Sequence, residues 1–220
     1  MSKLLVSGSY PLVEYVKDEI QKRRDSVQNL TVQEVSSLHI LKHPNYINND
    51  DILICGVVLA ERLKKLNVRG YIVPLRVQTQ DFIMALMEAS NYSKKVCVVN
   101  YYKEFINEDK PYNQGKLKEI LGLNIHQHVY TSAEHAEEVV KELSKDTQNV
   151  IIGSGLIVNL AKKHGLKGIL WYDQETIQLA VGIAFDILRA KMLERSNQKR
   201  QSIVMENFHD GIISLNKMNR

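Results

Sequence analysis

Residues 149–171, NVIIGSGLIVNLAKKHGLKGILW, repeat the plan of residues 51–73, DILICGVVLAERLKKLNVRGYIV, at an offset of 98 residues. A lysine and a glycine keep this offset, Lys64 with Lys162 and Gly70 with Gly168. Each copy is an apolar run, a turn, a helical pattern, a glycine and another apolar run, which is typical of a strand–helix–strand unit. The repeat predicts two similar lobes. Clefts at the carboxyl ends of parallel strands are where α/β proteins hold small molecules.

The composition is that of an ordinary globular protein. Hydrophobic residues make up 44% and charged residues 25% of the 220, which allows two lobes of about 100 residues with a core in each. The net charge of +4 is too small to indicate nucleic-acid binding. No apolar run approaches the ~20 residues that cross a bilayer, and the N-terminal run is too short for a signal peptide. We therefore expect a cytoplasmic protein with no membrane partner.

The first half of the chain alternates apolar strand patterns with helical patterns. Strands are expected at 4–7, 30–35, 51–55 and 71–75. Helices are expected at 12–24, 57–66 and 82–91. Asp81 is predicted to be the N-cap of the last helix, and residues 36–50 show no regular pattern. Cys55 and Cys97, both in strand patterns, are predicted to be reduced core thiols.

The second half repeats this alternation and then changes character. Strands are expected at 95–99, 124–130, 150–152 and 169–172. Helices are expected at 116–121, at 133–143 with Ser132 as the cap, at 156–164 and from 175 to about 207. A polar loop is expected at 103–115. Continuous apolar strands between helices indicate parallel sheets covered on both faces. The predicted fold is α/β, with two similar three-layer α/β/α lobes followed by a long C-terminal helix.

The same pattern suggests a division into four segments. The first lobe is expected at 1–80 and the second at 81–174, with a connecting helix at 175–207 that projects from them. Residues 208–220 contain a short strand pattern with no partner in the chain. This last segment is therefore expected to begin a further domain of a longer polypeptide.

Candidate ligand-binding residues follow the predicted strands, at the edge where a cleft would lie. Most are neutral hydrogen-bonding groups suited to orienting a small polar ligand. In the turn at 153–155, glycines that open a helix let backbone N–H groups approach an anion; the alternative is a simple tight turn. The candidates are Ser7, Gly8, Ser9, Gly56, Gln78, Thr79, Gln80, Asn100, Tyr101, Gly153, Ser154 and Gly155.

Metal and catalytic sites are less well supported. His126 and His128 alternate on one predicted strand, and His39 and His43 share helical spacing, but a metal site needs a third ligand. Cys55 would need a base to act as a nucleophile, and the sequence indicates none. We therefore predict no catalytic residues, no metal and no cofactor, and a chain that is not an enzyme.

Several stretches resemble the N-terminal receptor domain of bacterial propionate-catabolism regulators. That family belongs to the NtrC class of activators, which work with the nitrogen-type alternative sigma factor, sigma-54. The motifs are DILICG…AERL at 51–63, VQTQDFIMAL at 77–86, KKVCVVNYY at 94–102, NVIIGSGLIVNLAKKHGLKGIL at 149–170 and QETIQLAVGIA at 174–184. The tail FHDGIISLN at 208–216 resembles the beginning of a PAS domain.

The resemblance implies a receptor of the chelatase-like or periplasmic-binding-like type. In the family, a small-molecule effector such as 2-methylcitrate binds between the lobes. The signal then passes along the helix to PAS, ATPase and DNA-binding domains. DNA and the sigma-54 RNA polymerase would be contacted only by those domains, which are absent from this chain.

Two departures from the family pattern bear on the effector. Where the family's first turn reads small-Arg-Gly-Gly-Thr, this chain has Cys-Gly-Val-Val-Leu at 55–59. Where the family has Ser-Gly before the capping aspartate, this chain has Gln78-Thr79. Because arginine gives carboxylates charge-assisted, bidentate contacts, its loss predicts a less charged ligand than a citrate-like tricarboxylate, or none.

Two alternatives to a sensor remain open. A chelatase-type enzyme would hold a metal or tetrapyrrole, with a histidine and acidic residues converging on the cleft. A ligand-free dimerisation module would pair the long helix with its twin, and a homodimer through this helix is expected in any case. The heptad-like apolar positions are Ile177, Val181, Ala184, Leu188 and Met192.

Overall fold

The computed structural model describes residues 3–24, 30–101 and 119–207. The strands are β1 Lys3–Ser7, β2 Thr31–Glu34, β3 Ile52–Gly56, β4 Tyr71–Leu75, β5 Lys95–Tyr101, β6 Asn124–Tyr130, β7 Val150–Gly153 and β8 Lys167–Leu170. The helices are α1 Leu12–Arg23, α2 Ser37–Lys42, α3 Val57–Lys65, α4 Thr79–Ser90, α5 Ala133–Leu143, α6 Gly155–Lys163 and α7 Gln174–Asn207, with a 3-10 turn at Pro44–Tyr46. None of the described helices is both long and apolar enough to cross a membrane.

The strands form two four-stranded sheets of the same topology. Their orders are β2-β1-β3-β4 and β6-β5-β7-β8, and every pairing is parallel. Helices cover both faces of each sheet, as continuous apolar strands require. The predicted α/β fold, with two similar lobes and a long C-terminal helix, is confirmed.

The internal repeat holds its 98-residue offset only to the end of the helix. Asn67 and Gly165, with φ of 50° and 75°, occupy the same position after α3 and α6. Beyond them the second copy is two residues shorter, since Ile52 pairs with Tyr71 but Val150 pairs with Lys167. The strand predicted at 169–172 therefore lies at Lys167–Leu170.

The matched glycines consequently have different roles in the two lobes. A Cβ on Gly70, just before β4, would lie 2.3 Å from Ile47 Cγ2 and 2.9 Å from the carbonyl oxygens of Asn48 and Asp51. Gly168 lies within β8, where a Cβ would lie 3.0 Å from the Val158 Cα. Gly70 makes room for the 44–51 segment of the first lobe, and Gly168 makes room for α6.

Each lobe is completed by a helix from the other half of the chain. α4 follows β4 of the first sheet but packs on β5, β7 and β8 of the second. α7 follows β8 of the second sheet but packs on β3, β4 and α1 of the first. The inward faces of both sheets and these two helices share one hydrophobic core.

The long helix therefore projects less than the sequence suggests. Ile177, Val181, Ala184 and Leu188 are buried against the first lobe. Beyond Lys191, every side chain that the structure describes is exposed. The first half of α7 is core, and only its second half extends into solvent.

Some predicted boundaries differ from those of the structure. α4 begins at Thr79, with Gln78 as its N-cap, so Asp81 is the third helical residue and not the cap. The segment 36–50 contains α2 and the 3-10 turn, both too short to show a period, and Ile40 and Ile47 anchor them in the core. The loop predicted at 103–115 and the strand pattern at 212–215 lie outside the described residues, as does most of the helix predicted at 116–121, of which 119–121 are helical.

Ser132 is the N-cap of α5, as predicted. Its hydroxyl accepts the backbone N–H of His135 at 3.2 Å. Replacing Ser132 with alanine should lower the free energy of unfolding by about 1 kcal/mol, because this N–H loses its partner. Urea denaturation measures the change. Ser144→Ala, at the carboxyl end of the same helix, is the control; an equal loss there would contradict the capping role.

Candidate ligand-binding cleft

A cavity of about 410 Å³ lies between the lobes. It is formed where strands of both sheets end, with Ser7 from β1, Gly56 from β3, Tyr101 from β5 and Tyr130 from β6. The lining residues are Ser7, Gly8, Ser9, Leu12, Ser37, Leu41, Gly56, Val58, Leu59, Arg62, Tyr101, Tyr130, Thr131, Ser132, Ala133, Ser154, Gly155, Leu156 and Tyr172. The volume is that of a small-molecule site.

Seven of the predicted ligand-binding residues lie together in this lining. They come from the turns after β1, β3, β5 and β7. They are Ser7, Gly8, Ser9, Gly56, Tyr101, Ser154 and Gly155. Because the carboxyl ends of parallel strands share one edge of each sheet, residues far apart in sequence meet here.

Two other candidates are buried at the ends of strands and do not line the cavity. Asn100 is 3% exposed and alternates with Val98 on the face of β5 that meets the shared core. A Cβ on Gly153 would lie 2.7 Å from Ile157 Cγ2 and 2.8 Å from the Val99 carbonyl oxygen. Gly153 is therefore a glycine because α6 packs closely on the sheet.

The remaining three candidates, Gln78, Thr79 and Gln80, lie outside the lining and begin α4. The Gln80 side-chain amide donates to the Glu175 carboxylate at 3.1 Å, which joins the first turns of α4 and α7. The segments 76–81 and 171–176 each carry the chain from one lobe to the other, and we call them together the hinge. The polar run at 78–80 belongs to this connection between the lobes.

Asp81 lies at the centre of the hinge and is 1% exposed. Its carboxylate accepts the backbone N–H of Gln78, the backbone N–H of Asp173 at 3.0 Å and the Thr176 hydroxyl at 2.9 Å. Burial raises the pKa of Asp81 above its ordinary value, while the two backbone donors oppose the shift. One buried side chain thus ties the beginning of α4 to the beginning of α7.

The lobes also touch across the mouth of the cavity. A Cβ on Gly155 would lie 2.6 Å from the Ser9 carbonyl oxygen of the other lobe. The Lys162 ammonium lies 6.0 Å from the centre of the Tyr10 ring. These contacts describe a closed arrangement of the two lobes.

Arg62 is a cavity residue that the sequence reasoning missed. It lies in the second turn of α3, and its guanidinium donates to the Tyr101 hydroxyl of the other lobe at 3.0 Å. The sequence signal was its spacing, because residues 58, 59 and 62 share one helix face. Tyr130 and Tyr172 were also missed, although each is the last residue of a strand predicted from the sequence, at 124–130 and 169–172.

The described residues of the cavity lining carry positive charge and no negative charge. Arg62 is the only charged side chain among the described lining residues, and none of them is a carboxylate. The N-caps of α3, α5 and α6, which are Gly56, Ser132 and Ser154, also line the cavity. Helix N-termini carry partial positive charge. The cavity is therefore electropositive.

The groups considered for metal or nucleophilic chemistry lie elsewhere. His126 and His128 are on β6, and His39 and His43 are in or next to α2, all outside the lining. Within 3–24, 30–101 and 119–207, no three histidine, cysteine or acidic residues come together as metal ligands. Burial raises the pKa of the Cys55 thiol to about 12, so it stays protonated.

The middle of the long helix is attached to the first lobe by polar contacts. The Lys191 ammonium donates to the Asn49 carbonyl at 2.8 Å and to the Asp50 carboxylate at 2.9 Å, and it lies 4.6 Å from the centre of the Tyr71 ring. Arg195 also forms an ion pair with Asp50. We call this group the α7 clamp. It makes α7 part of the first lobe down to about residue 195.

Opening the α7 clamp should free the end of the helix. The hydrogen bond from Lys191 lowers the pKa of Asp50, with a further contribution from Arg195. A lowered carboxyl pKa stabilises the folded contact above the usual value of 3.8, and this stabilisation is lost as pH falls through the folded pKa. Asp50→Asn should therefore broaden the distance distribution between spin labels at 65 and 194. The distance distribution of the wild-type protein should broaden in the same way at low pH.

Asp186→Asn is the matched control for this measurement. Asp186 pairs with Arg189 on the same helix, so its loss should leave the distribution narrow. An unchanged distribution in Asp50→Asn would show that the clamp does not hold the helix.

The sequence and the fold match known proteins. The chain is similar over 87% of its length, and over 98% of the other chain, to an NtrC family transcriptional regulator from Clostridium acetobutylicum, with 14% identity and a TM-score of 0.61. It also matches the ABC domain in complex with L-Trp from Streptococcus pneumonia, with 9% identity, 86% and 84% coverage and a TM-score of 0.49. The first likeness shows a shared fold.

The sequence profile described as propionate catabolism activator matches residues 26–194, which is well over half of the chain. This match covers most of both lobes and the part of α7 that packs on the first lobe. The chain therefore belongs to the propionate catabolism activator family.

Proposed function

We propose that this chain is the effector-sensing domain of a sigma-54-dependent transcriptional activator of the NtrC class. The observation that carries the proposal is the 410 Å³ cavity between two like lobes. Family membership and the fold shared with an NtrC family regulator support it. In this proposal the domain is not an enzyme, and ATP, DNA and RNA polymerase are bound by PAS, ATPase and DNA-binding domains downstream.

The geometry suggests how binding is converted into a signal. A ligand shifts the angle between the lobes only if it binds the closed state more tightly than the open one. The α7 clamp holds the helix on the first lobe. Lobe closure would therefore move the second lobe relative to a helix that stays with the first. That relative movement is the signal that downstream domains would read.

A homodimer through α7 is part of the proposal, but not through the heptad positions that the sequence suggested. Four of those five residues are buried in the first lobe, and only Met192 is exposed. Leu193, Ile203 and Met205 are 66%, 55% and 67% exposed further along the helix. A long helix with exposed apolar side chains gains stability by pairing. The partner surface is therefore proposed in the 192–207 segment.

A thermal-shift screen with a library of small metabolites tests the sensing function. At least one compound should raise the melting temperature of wild type, because ligands that bind only the folded state stabilise it. Ala133→Trp places an indole in the cavity and should abolish the shift. Ala190→Trp, on the exposed side of α7, should keep it. A screen without any stabilising compound, or a shift that survives Ala133→Trp, would refute the proposal.

A further inference from the structure

We propose that the effector is a small organic monoanion with an apolar body, and that Arg62 binds its anionic group. This inference rests on the proposed sensing function and specifies the chemistry of the same cavity. The arginine of the family's first turn belongs at 55–59 and is absent there, so Arg62, in the AERL stretch at 60–63, is a different position.

The positive charge in the cavity indicates an anionic ligand. The Arg62 guanidinium donates to a neutral partner, the Tyr101 hydroxyl, and no described carboxylate forms an ion pair with it. A guanidinium has five N–H donors in a planar fork that matches a carboxylate or a phosphate. The cavity therefore offers a cation with unused donors and no anion of its own.

The other lining residues indicate how many negative charges the ligand carries. Beside Arg62, the described polar lining side chains are hydroxyls of serine, threonine and tyrosine. Hydroxyls can donate hydrogen bonds to an anion, but they do not neutralise it. A tricarboxylate would bring three negative charges to one full positive charge, and two of them would have no cationic partner among the described lining residues. A single anionic group fits best.

Backbone donors add to the site for this anion. Gly56 and Ser154 are the N-caps of α3 and α6, and neither residue supplies a side chain that accepts a backbone N–H of its helix. Both residues line the cavity that Arg62 enters. Two helix N-termini and one guanidinium therefore border the same cavity, and all three favour negative charge.

The rest of the cavity wall is apolar, which is why we propose a ligand with an apolar body. Leu12 and Leu59 of the first lobe and Leu156 of the second contribute aliphatic surface to the cavity. The rings of Tyr101 and Tyr130 pack edge to face, with centroids 5.5 Å apart. A ligand made only of charged groups and hydroxyls would leave this apolar surface in contact with water.

Arg62 also connects the anion to closure of the lobes. The residue belongs to α3 of the first lobe, and its hydrogen-bond partner belongs to β5 of the second. An anion held between Arg62 and the start of α6 would contact both lobes only when they are closed. Such a ligand binds the closed state more tightly, as a sensor requires.

The test compares carboxylic acids with their own primary amides by calorimetry on the purified chain. The probes are acetate, butyrate, hexanoate and benzoate, each with its amide, and citrate as a trianion. We expect affinity to rise with the apolar body, and each acid that binds to exceed its amide by about tenfold or more. Arg62→Gln should bring each acid close to its amide. Arg189→Gln, on the surface of α7, should change nothing.

Methyl phenyl phosphate, a diester with a single negative charge, separates the two sources of a monoanionic group. Binding stronger than that of benzoate would assign a phosphate ester, and weaker binding a carboxylate. Amides that equal their acids, tightest binding of citrate, an acid preference that survives Arg62→Gln, or no binding by any acid would each overturn the inference. If neutral metabolites still stabilise wild type in the thermal-shift screen, the sensing function stands and only the anion assignment fails.

Discussion

Replacing Asp81 with alanine is expected to lower the free energy of unfolding by about 3–5 kcal/mol. The change removes one buried acceptor from three donors, the backbone N–H groups of Gln78 and Asp173 and the hydroxyl of Thr176. Asp81 is 1% exposed, so the space that the loss of its carboxylate leaves is shielded from water. Chemical denaturation monitored by circular dichroism gives the free energy directly.

The matched control removes a single donor and keeps the carboxylate. Thr176→Val deletes one of the three hydrogen bonds, and we expect a loss of about 1 kcal/mol. Equal losses in the two variants would show that Asp81 is not the centre of the hinge.

The pH dependence gives a second readout of Asp81. Because its folded pKa is raised, the folded state binds this proton more tightly than the unfolded state. The stability difference between wild type and Asp81→Ala should therefore be largest at low pH. It should shrink as pH rises above the usual value of 3.8 and through the folded pKa. A difference that grows over this range would contradict the raised pKa.

Gly155→Ala is expected to open the cleft without unfolding either lobe. The new Cβ would lie 2.6 Å from the Ser9 carbonyl oxygen, which belongs to the opposite lobe, so the lobes must separate. Alanine suits the first residue of α6 better than glycine does, because glycine has the lower helix propensity. Small-angle scattering should show a larger radius of gyration, and spin labels at 64 and 141 should move apart. Affinity for the effector should fall by about tenfold or more.

Gly56→Ala is the matched control for this experiment. Gly56 lines the same cavity at the start of α3, but its Cβ would meet only the Tyr172 hydroxyl, at 3.7 Å. This is an ordinary van der Waals distance, and the lobes should stay closed. Equal opening in both variants, or none in either, would contradict the role assigned to the contact between Ser9 and Gly155.

Local patterns predicted most of the elements. The buried strands β3 and β7 appear in the sequence as continuous apolar runs, and α5 appears as a helical period behind a capping serine. Polar and glycine residues at strand ends predicted seven of the cavity residues, since parallel strands bring their carboxyl ends to one edge. α2 was missed because six residues are too few to show a period.

Other features depend on contacts between distant parts of the chain. Gln78, Thr79 and Gln80 have the same polar character as a cleft lining, yet packing of the first turns of α4 and α7 places them in the hinge. Arg62 is an ordinary exposed helix residue in sequence, and it enters the cleft only because α3 faces β5 of the other lobe. The spacing of Arg62 places it on one helix face with residues 58 and 59, but a single sequence does not show which sheet that face approaches.

The amino-acid sequence by itself determined the two repeated α/β units and the small polar residues at their strand ends, because both follow from interactions between near neighbours in the chain. Only the tertiary structure decided that α7 packs back on the first lobe, that Asp81 holds the hinge and that Arg62 is the cation of the cleft. Those facts depend on which buried faces pack together, and packing joins helices as distant in sequence as α1 and α7.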